Sequence, residues 1–309
     1  MNPLLIALTV LAVALILIPL LCYACGILLY RRTLRPPSLK KRRAIAKVHR
    51  DHATGTAFDA PHDMLTIQSR DELSLYAFYF KRSESKVAIL CHGYKGYPTE
   101  LAPQLAYFLD RGYSVLMPIA RGHGESEGRF IGMGFAERFD IVDWCKYVTH
   151  LLPRASILLF GHSMGAATVM MASGEDALPE SVVCMIEDCG YTSVYDEFSV
   201  QIKELYHLPV FPFLTIANRI ARKRMGYDFK EASSLEQIRH CRIPTLLIHG
   251  EKDTFVPTAM VYPLYDAVSA AKELLIVPNA AHAVSVTENP TLYFEAFDRF
   301  LARYMKTKA

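Results

Sequence analysis

The sequence predicts an α/β fold: a mostly parallel central sheet with helices on both faces, preceded by one N-terminal transmembrane helix. Three observations in the 309 residues predict it. From about residue 62, short apolar or β-branched runs alternate with longer amphipathic ones, the pattern of successive βα units. Residues 1–30 carry no charged side chain, and the run 4–30 is almost wholly apolar. Residues 190–240 interrupt the alternation with no convincing strand and read as a small helical cap rich in aromatics.

The N-terminal run comes first. A helix over residues 4–30 rises roughly 40 Å, and a bilayer core is crossed by about 20 apolar residues. Pro19 and Gly26 are tolerated in such helices. A cleaved signal peptide wants a basic start and a small-residue cleavage site. Here no Lys or Arg precedes the run, and Cys22-Tyr23-Ala24 is a poor site, so an uncleaved anchor over 1–30 is expected.

Nine basic residues and no acid fall between residues 31 and 50. Positive flanks stay cytoplasmic, which predicts a single-pass protein of the cell membrane with its body inside. Residues 31–61 read as a basic juxtamembrane linker that, with the apolar run, contacts membrane lipid along anionic headgroups. Residues 51–309 hold 25 basic against 31 acidic side chains. That mildly acidic body excludes a uniform basic surface for nucleic acid. The 17 Tyr and 16 Phe exclude a disordered chain.

The body, 62–309, is expected as one domain. Strands are predicted at 65–69, 73–80, 87–91, 114–118, 156–160, 182–186, 245–249 and 273–277, and helices at 100–110, 135–152, 165–172, 258–269 and 292–305. The first two strands are close enough to pair antiparallel; the others alternate with helices and should be parallel. The cap over 190–240 then sits at the C-terminal edge of the strands, where open α/β sheets place ligands. The seven cysteines are scattered, and Cys22-x-x-Cys25 lies inside the apolar run with no second pair. They read as free thiols of a reducing compartment, with no metal site.

The motif carrying chemistry is G-H-S-M-G at 161–165, between a predicted strand and a small-residue helix. This is the strand–turn–helix setting of a nucleophile elbow. Ser163 is the nucleophile, and Gly161 and Gly165 permit the tight turn. A serine hydroxyl needs a positioned base. In the order Ser…Asp…His, Asp253 follows the strand ending in His249-Gly250, and His282 follows the next strand. His282 would take the serine proton and Asp253 would hold its tautomer; Glu187 and Asp188 are alternative acids. For the oxyanion, the backbone N–H of Met164 supplies one donor. The turn His92-Gly93-Tyr94 supplies the other through Tyr94 N–H, with Gly93 allowing close approach and His92 shaping the loop. The turn Arg121-Gly122-His123-Gly124-Glu125-Ser126 lacks the GK[ST] ending of a phosphate loop, so nucleotide binding is not expected and no cofactor is called for.

Together these segments resemble the α/β-hydrolase superfamily over about residues 62–306. HGYKG is similar to its oxyanion loop, RGHGES to the loop after the next strand, GHSMG to its elbow, and HGEKDTFVP and AAH to its acid and base segments. Within the superfamily the chain looks like bacterial membrane-anchored serine hydrolases related to prolyl-oligopeptidase-like and monoacylglycerol-lipase-like enzymes. One position departs: Ile119 stands where D-x-R-G-x-G would have Asp. The resemblance implies an α/β-hydrolase fold and a Ser163–His282–Asp253 triad. The expected activity is cleavage of a small-molecule acyl ester, with a lipophilic acyl group suggested by the aromatic cap beside a bilayer. The same triad would serve a peptidase, a thioesterase or an acyltransferase, whereas a non-catalytic binding scaffold has no need of all three residues.

Overall fold

The computed structural model describes residues 2–305, so Met1 of the expected anchor and the last four residues of the expected 62–309 body lie outside the described residues. Two helices lead the chain, α1 (Pro3–Thr33) and α2 (Leu39–His52). Eight strands follow: β1 (Asp63–Gln68), β2 (Ser74–Phe80), β3 (Lys86–Cys91), β4 (Ser114–Pro118), β5 (Ser156–His162), β6 (Val182–Asp188), β7 (Thr245–Gly250) and β8 (Lys272–Val277). Interleaved with them are α3 (Ala102–Asp110), α4 (Glu137–Leu151), α5 (Met164–Ser173), α6 (Val194–Glu204), α7 (Val210–Met225), α8 (Ser234–Ile238), α9 (Val261–Ala267), α10 (Ser285–Glu288) and α11 (Pro290–Tyr304).

The strands form one sheet in the order β1-β2-β4-β3-β5-β6-β7-β8. The pairs β1/β2 and β2/β4 are antiparallel, and every pair from β4/β3 to β7/β8 is parallel. This is the mostly parallel sheet that the alternation anticipated, in the α/β-hydrolase fold that the motif resemblance implies. The central strands β3 and β5 are continuous apolar runs because helices cover both faces. Val87 to Leu90 and Ile157 to Phe160 are wholly inaccessible. One face packs Phe80, Leu90, Phe108, Phe160 and Phe297; the other packs Trp144, Leu159, Val169, Met185 and Leu247. Because β3, β5, β7 and β8 run the same way, the loops that follow them open at one end of the sheet.

Among the described residues, α1 is the one helix long and apolar enough to cross a membrane. From Leu4 to Val13 and from Leu15 to Leu21 its side chains are exposed; its last turns pack on α7, where Ile216 occupies the space that a Cβ on Gly26 would need. Tyr30 in its last turns and Leu34 just past its end are buried.

Residues 31–61 depart from the expected linker. Instead of running free, the chain forms α2, capped by the Ser38 hydroxyl and docked on the sheet domain. Arg42, Ala46 and Arg50 recur every four residues and so share one face. Arg42 is buried and donates to the Ser126 carbonyl at 2.5 Å; Ala46 is buried; Arg50 pairs with Glu125 at 2.7 Å and donates to the Tyr97 hydroxyl. Charge counting reads such a segment as a tether because it ignores which face each charge occupies.

Between β6 and β7, where the helical cap is expected, lie α6, α7 and α8, and an isolated antiparallel bridge joins Ser193 to Ser233.

Candidate active site

The turn from β5 into α5 sets the geometry. Ser163 sits at φ 55°, ψ −114°, a backbone shape that throws its side chain out at the sheet edge. The flanking glycines are required by contact rather than by their own torsions. A Cβ on Gly161 would collide with the Gly165 carbonyl, and one on Gly165 with the Cys91 carbonyl. The Ser163 N–H donates to the Asp188 carbonyl at 2.8 Å, which pins the turn to β6.

From Ser163 a chain of contacts runs inward. Ser163 Oγ lies 3.0 Å from His282 Nε2, and His282 Nδ1 lies 2.7 Å from Asp253 Oδ2. Asp253 is buried on the loop after β7. Its Oδ1 accepts from the Phe255 and Val256 N–H groups at 3.0 and 2.9 Å. Burial alone would raise its pKa; contacts with His249 and His282 outweigh burial and hold the carboxyl below its ordinary value. Such an arrangement fixes the imidazole with its Nδ1 proton toward Asp253 and its free Nε2 toward the hydroxyl. The Phe255 ring covers the imidazole at 4.9 Å. The two alternative acids are engaged elsewhere: Glu187 Oε2 accepts from Gly190 N–H, and Asp188 Oδ2 accepts from the Tyr293 hydroxyl.

The loop after β3 lies against Ser163, since a Cβ on Gly93 would sit 3.6 Å from Ser163 Cβ. Its donors are almost all used. Gly93 N–H donates to Glu100 Oε1, Lys95 N–H to His123 Nε2, and Gly96 N–H to the Gly93 carbonyl. Among the described residues, Tyr94 N–H has no protein acceptor. Met164 opens α5, so its N–H is one of the unpaired donors of a helix start. His92 is buried and purely architectural in its contacts: Nε2 accepts from Ala120 N–H, and Nδ1 donates to the Gly93 carbonyl. In the RGHGES turn, Arg121 is clamped by Asp140 and Asp71, and His123 bridges to Lys95; burial pushes the His123 pKa down to about 3, leaving it neutral.

Ser163 faces a pocket of about 360 Å³, with Tyr94, Tyr191, Phe198 and Tyr206 on its walls and Arg32 and Thr33 of α1 completing them. Sequence reasoning missed that contribution from α1. It also missed His249, whose Nε2 donates to the Val256 carbonyl at 2.9 Å and lies 3.3 Å from Asp253 Oδ2, so two imidazoles face one carboxylate oxygen. It stands four residues before Asp253 in the sequence, a spacing that alone does not bring the two side chains together. The ligand atoms of Cys189, Asp253 and His282 lie within 4.8 Å of one another. They are a poor cation site, because burial raises the Cys189 thiol pKa and Asp253 already receives hydrogen bonds on both oxygens.

Residues 88–296 match the family model described as the alpha/beta hydrolase family. The chain is similar to the uncharacterized protein YqkD of Bacillus subtilis, at 32% identity over 69% of this chain and 70% of that one. It is also similar to the uncharacterized protein Rv2307c of Mycobacterium tuberculosis, at 24% identity over 77% and 78%. Among solved structures, the Pyrococcus furiosus esterase Pf2001 superposes with a TM-score of 0.66 at 22% identity, covering 80% of this chain and 92% of that one. At that identity the likeness is one of fold.

Proposed function

Because this chain belongs to the alpha/beta hydrolase family, whose model spans residues 88–296, we propose that it is a membrane-anchored serine hydrolase cleaving carboxylic esters of lipophilic acyl groups. One observation carries the reading: the continuous line of contacts from Ser163 Oγ through His282 to the buried Asp253, at 3.0 and 2.7 Å. Ser163 attacks the acyl carbonyl while His282 Nε2 takes its proton, and Asp253 stabilises the imidazolium. The unpaired N–H groups of Tyr94 and Met164 receive the oxyanion. His282 returns the proton to the departing alcohol, and water then cleaves the acyl-enzyme by the same route in reverse order. The aromatic pocket walls support a lipophilic acyl half, and α1 supports an anchor in the cell membrane. The basic flank after α1 supports a cytoplasmic body.

The test is labelling by a fluorophosphonate, together with turnover of p-nitrophenyl esters of rising chain length. Wild type labels stoichiometrically and Ser163→Ala does not; equal labelling of the two would sink the mechanism. For orientation, protease outside intact cells should leave the body undigested.

A further inference from the structure

The Ser163 pocket adjoins two surfaces of opposite character. On one side lies an apolar cleft between α1 and the cap, walled by Leu29, Phe198, Tyr206, Leu214 and Phe229; Phe198 and Tyr206 line the pocket as well. On the other side a groove of about 650 Å³ carries Arg31, Arg32, Arg35, Lys41 and Lys95, and of these Arg32 and Lys95 also line the Ser163 pocket. Among the described residues, no acidic side chain lines the groove. Among the described residues, none of the five cations forms an ion pair, whereas Arg50 and Lys47 on the same stretch of chain do. Lys95 Nζ donates to the Arg32 carbonyl and lies 4.8 Å from the centre of the Tyr94 ring, so an ammonium is held between α1 and the candidate oxyanion loop. Burial, and after it the neighbouring Arg32, pulls the Lys95 pKa down.

We propose that this groove binds a phosphate carried on the alcohol half of the substrate, so that the ester cleaved is an amphiphile with its acyl chain in the apolar cleft and its phosphate on the arginines. The inference rests on the serine-hydrolase reading above and adds the substrate class to it. Guanidinium forks match phosphate oxygens in pairs, and three of the five cations are arginines. The Ser163 pocket shares Phe198 and Tyr206 with the cleft and Arg32 and Lys95 with the groove, so a substrate engaging both would present its acyl carbonyl to Ser163. Attack by Ser163 Oγ forms the acyl-enzyme and breaks the bond to the alcohol oxygen. That oxygen leaves with the proton from His282, so the first product is a phosphate-bearing alcohol and the second, after water attacks, a fatty acid.

The experiment uses the full chain in neutral detergent micelles and compares a 1-acylglycerol 3-phosphate with the 1-monoacylglycerol of the same chain length. Wild type should prefer the phosphate ester by about tenfold or more in kcat/KM, and Arg35→Glu with Lys41→Glu should bring that ratio close to one. Glycerol 3-phosphate, but not glycerol, should inhibit wild type competitively, a readout that needs no variant. Fluorophosphonate labelling of the double variant checks that its pocket is assembled. Equal use of both esters by wild type, or a preference untouched by charge reversal in a variant that still labels, overturns the proposal while leaving the hydrolase reading intact. Absence of labelling and of turnover of either ester by wild type fails the hydrolase reading itself. Bilayer phospholipid is the other source of the same phosphate chemistry. If charge reversal weakens sedimentation with phosphatidylglycerol vesicles but leaves the micellar preference unchanged, the groove is a membrane contact and the substrate proposal is overturned.

Discussion

Asp253→Asn is the sharpest probe of the site, because the surroundings of this carboxylate leave an amide no good orientation. Oδ1 faces two backbone N–H donors, from Phe255 and Val256, and Oδ2 faces two imidazoles, His282 at 2.7 Å and His249 at 3.3 Å. If the amide oxygen keeps the backbone donors, its NH₂ points at His282 Nδ1. That nitrogen must then become an acceptor, the ring proton moves to Nε2, and Nε2 can no longer receive the proton of Ser163. If the amide flips, its NH₂ meets two backbone N–H groups and leaves them unpaired in a buried place, at about 1–3 kcal/mol each. The first orientation is the cheaper, and it yields the wrong tautomer. A triad with that tautomer loses about four orders of magnitude in kcat, or ~5.5 kcal/mol of transition-state stabilisation. The assay is kcat/KM on a p-nitrophenyl ester, with circular dichroism to show that the variant is folded. A folded Asp253→Asn enzyme within about tenfold of wild type would refute the reasoning and return Glu187 and Asp188 to consideration.

Ser163→Ala and His282→Ala should each abolish nearly all turnover, and the double variant should be no worse than either single one, since the pair acts as a unit; additive losses in kcat would contradict this. Gly165→Ala drives a methyl into the Cys91 carbonyl, so it should lower Tm and abolish labelling of Ser163; a fully labelled variant would show that the turn is not constrained as described. Glu187 is wholly buried, and burial, partly offset by His249, lifts its pKa from 4.5 to about 8. Between those two values the unfolded chain has given up a proton that the folded chain still holds, so stability falls as pH rises across that window. Glu187→Gln should flatten part of that fall in Tm, with buried Glu197, also pushed up to about 8, supplying a remainder of the same sign; an unchanged slope would count against a protonated Glu187.

The parts of this molecule written in local pattern were readable from the sequence. Strand runs such as Ile157 to Phe160 advertise burial on both faces, and the glycines around Ser163 advertise a turn because only glycine avoids the collisions there. Ser163, Asp253 and His282 could be grouped because each follows a parallel strand, and parallel strands end together. What was illegible depends on pairs far apart in the chain. Arg42 meets Ser126 across 84 positions, and Arg121 meets Asp71 across 50. The second imidazole on Asp253 was hidden differently. His249 lies inside an apolar strand, and only the path of the following loop decides whether its ring faces Asp253.

The end of α1 has a consequence for how the protein can be handled. Its Thr33 carbonyl accepts from the Tyr94 hydroxyl at 2.6 Å and its Arg32 carbonyl from Lys95 Nζ at 3.1 Å, while Gly26 and Tyr30 seat the helix on α7. Helix α1 therefore cannot be clipped off while leaving the same pocket behind. A chain shortened to residue 34 onward would lose one wall of its own pocket, free the side chains flanking Tyr94 N–H, and bare the apolar side of α7 to water. Kinetics measured on such a fragment would describe a different catalyst.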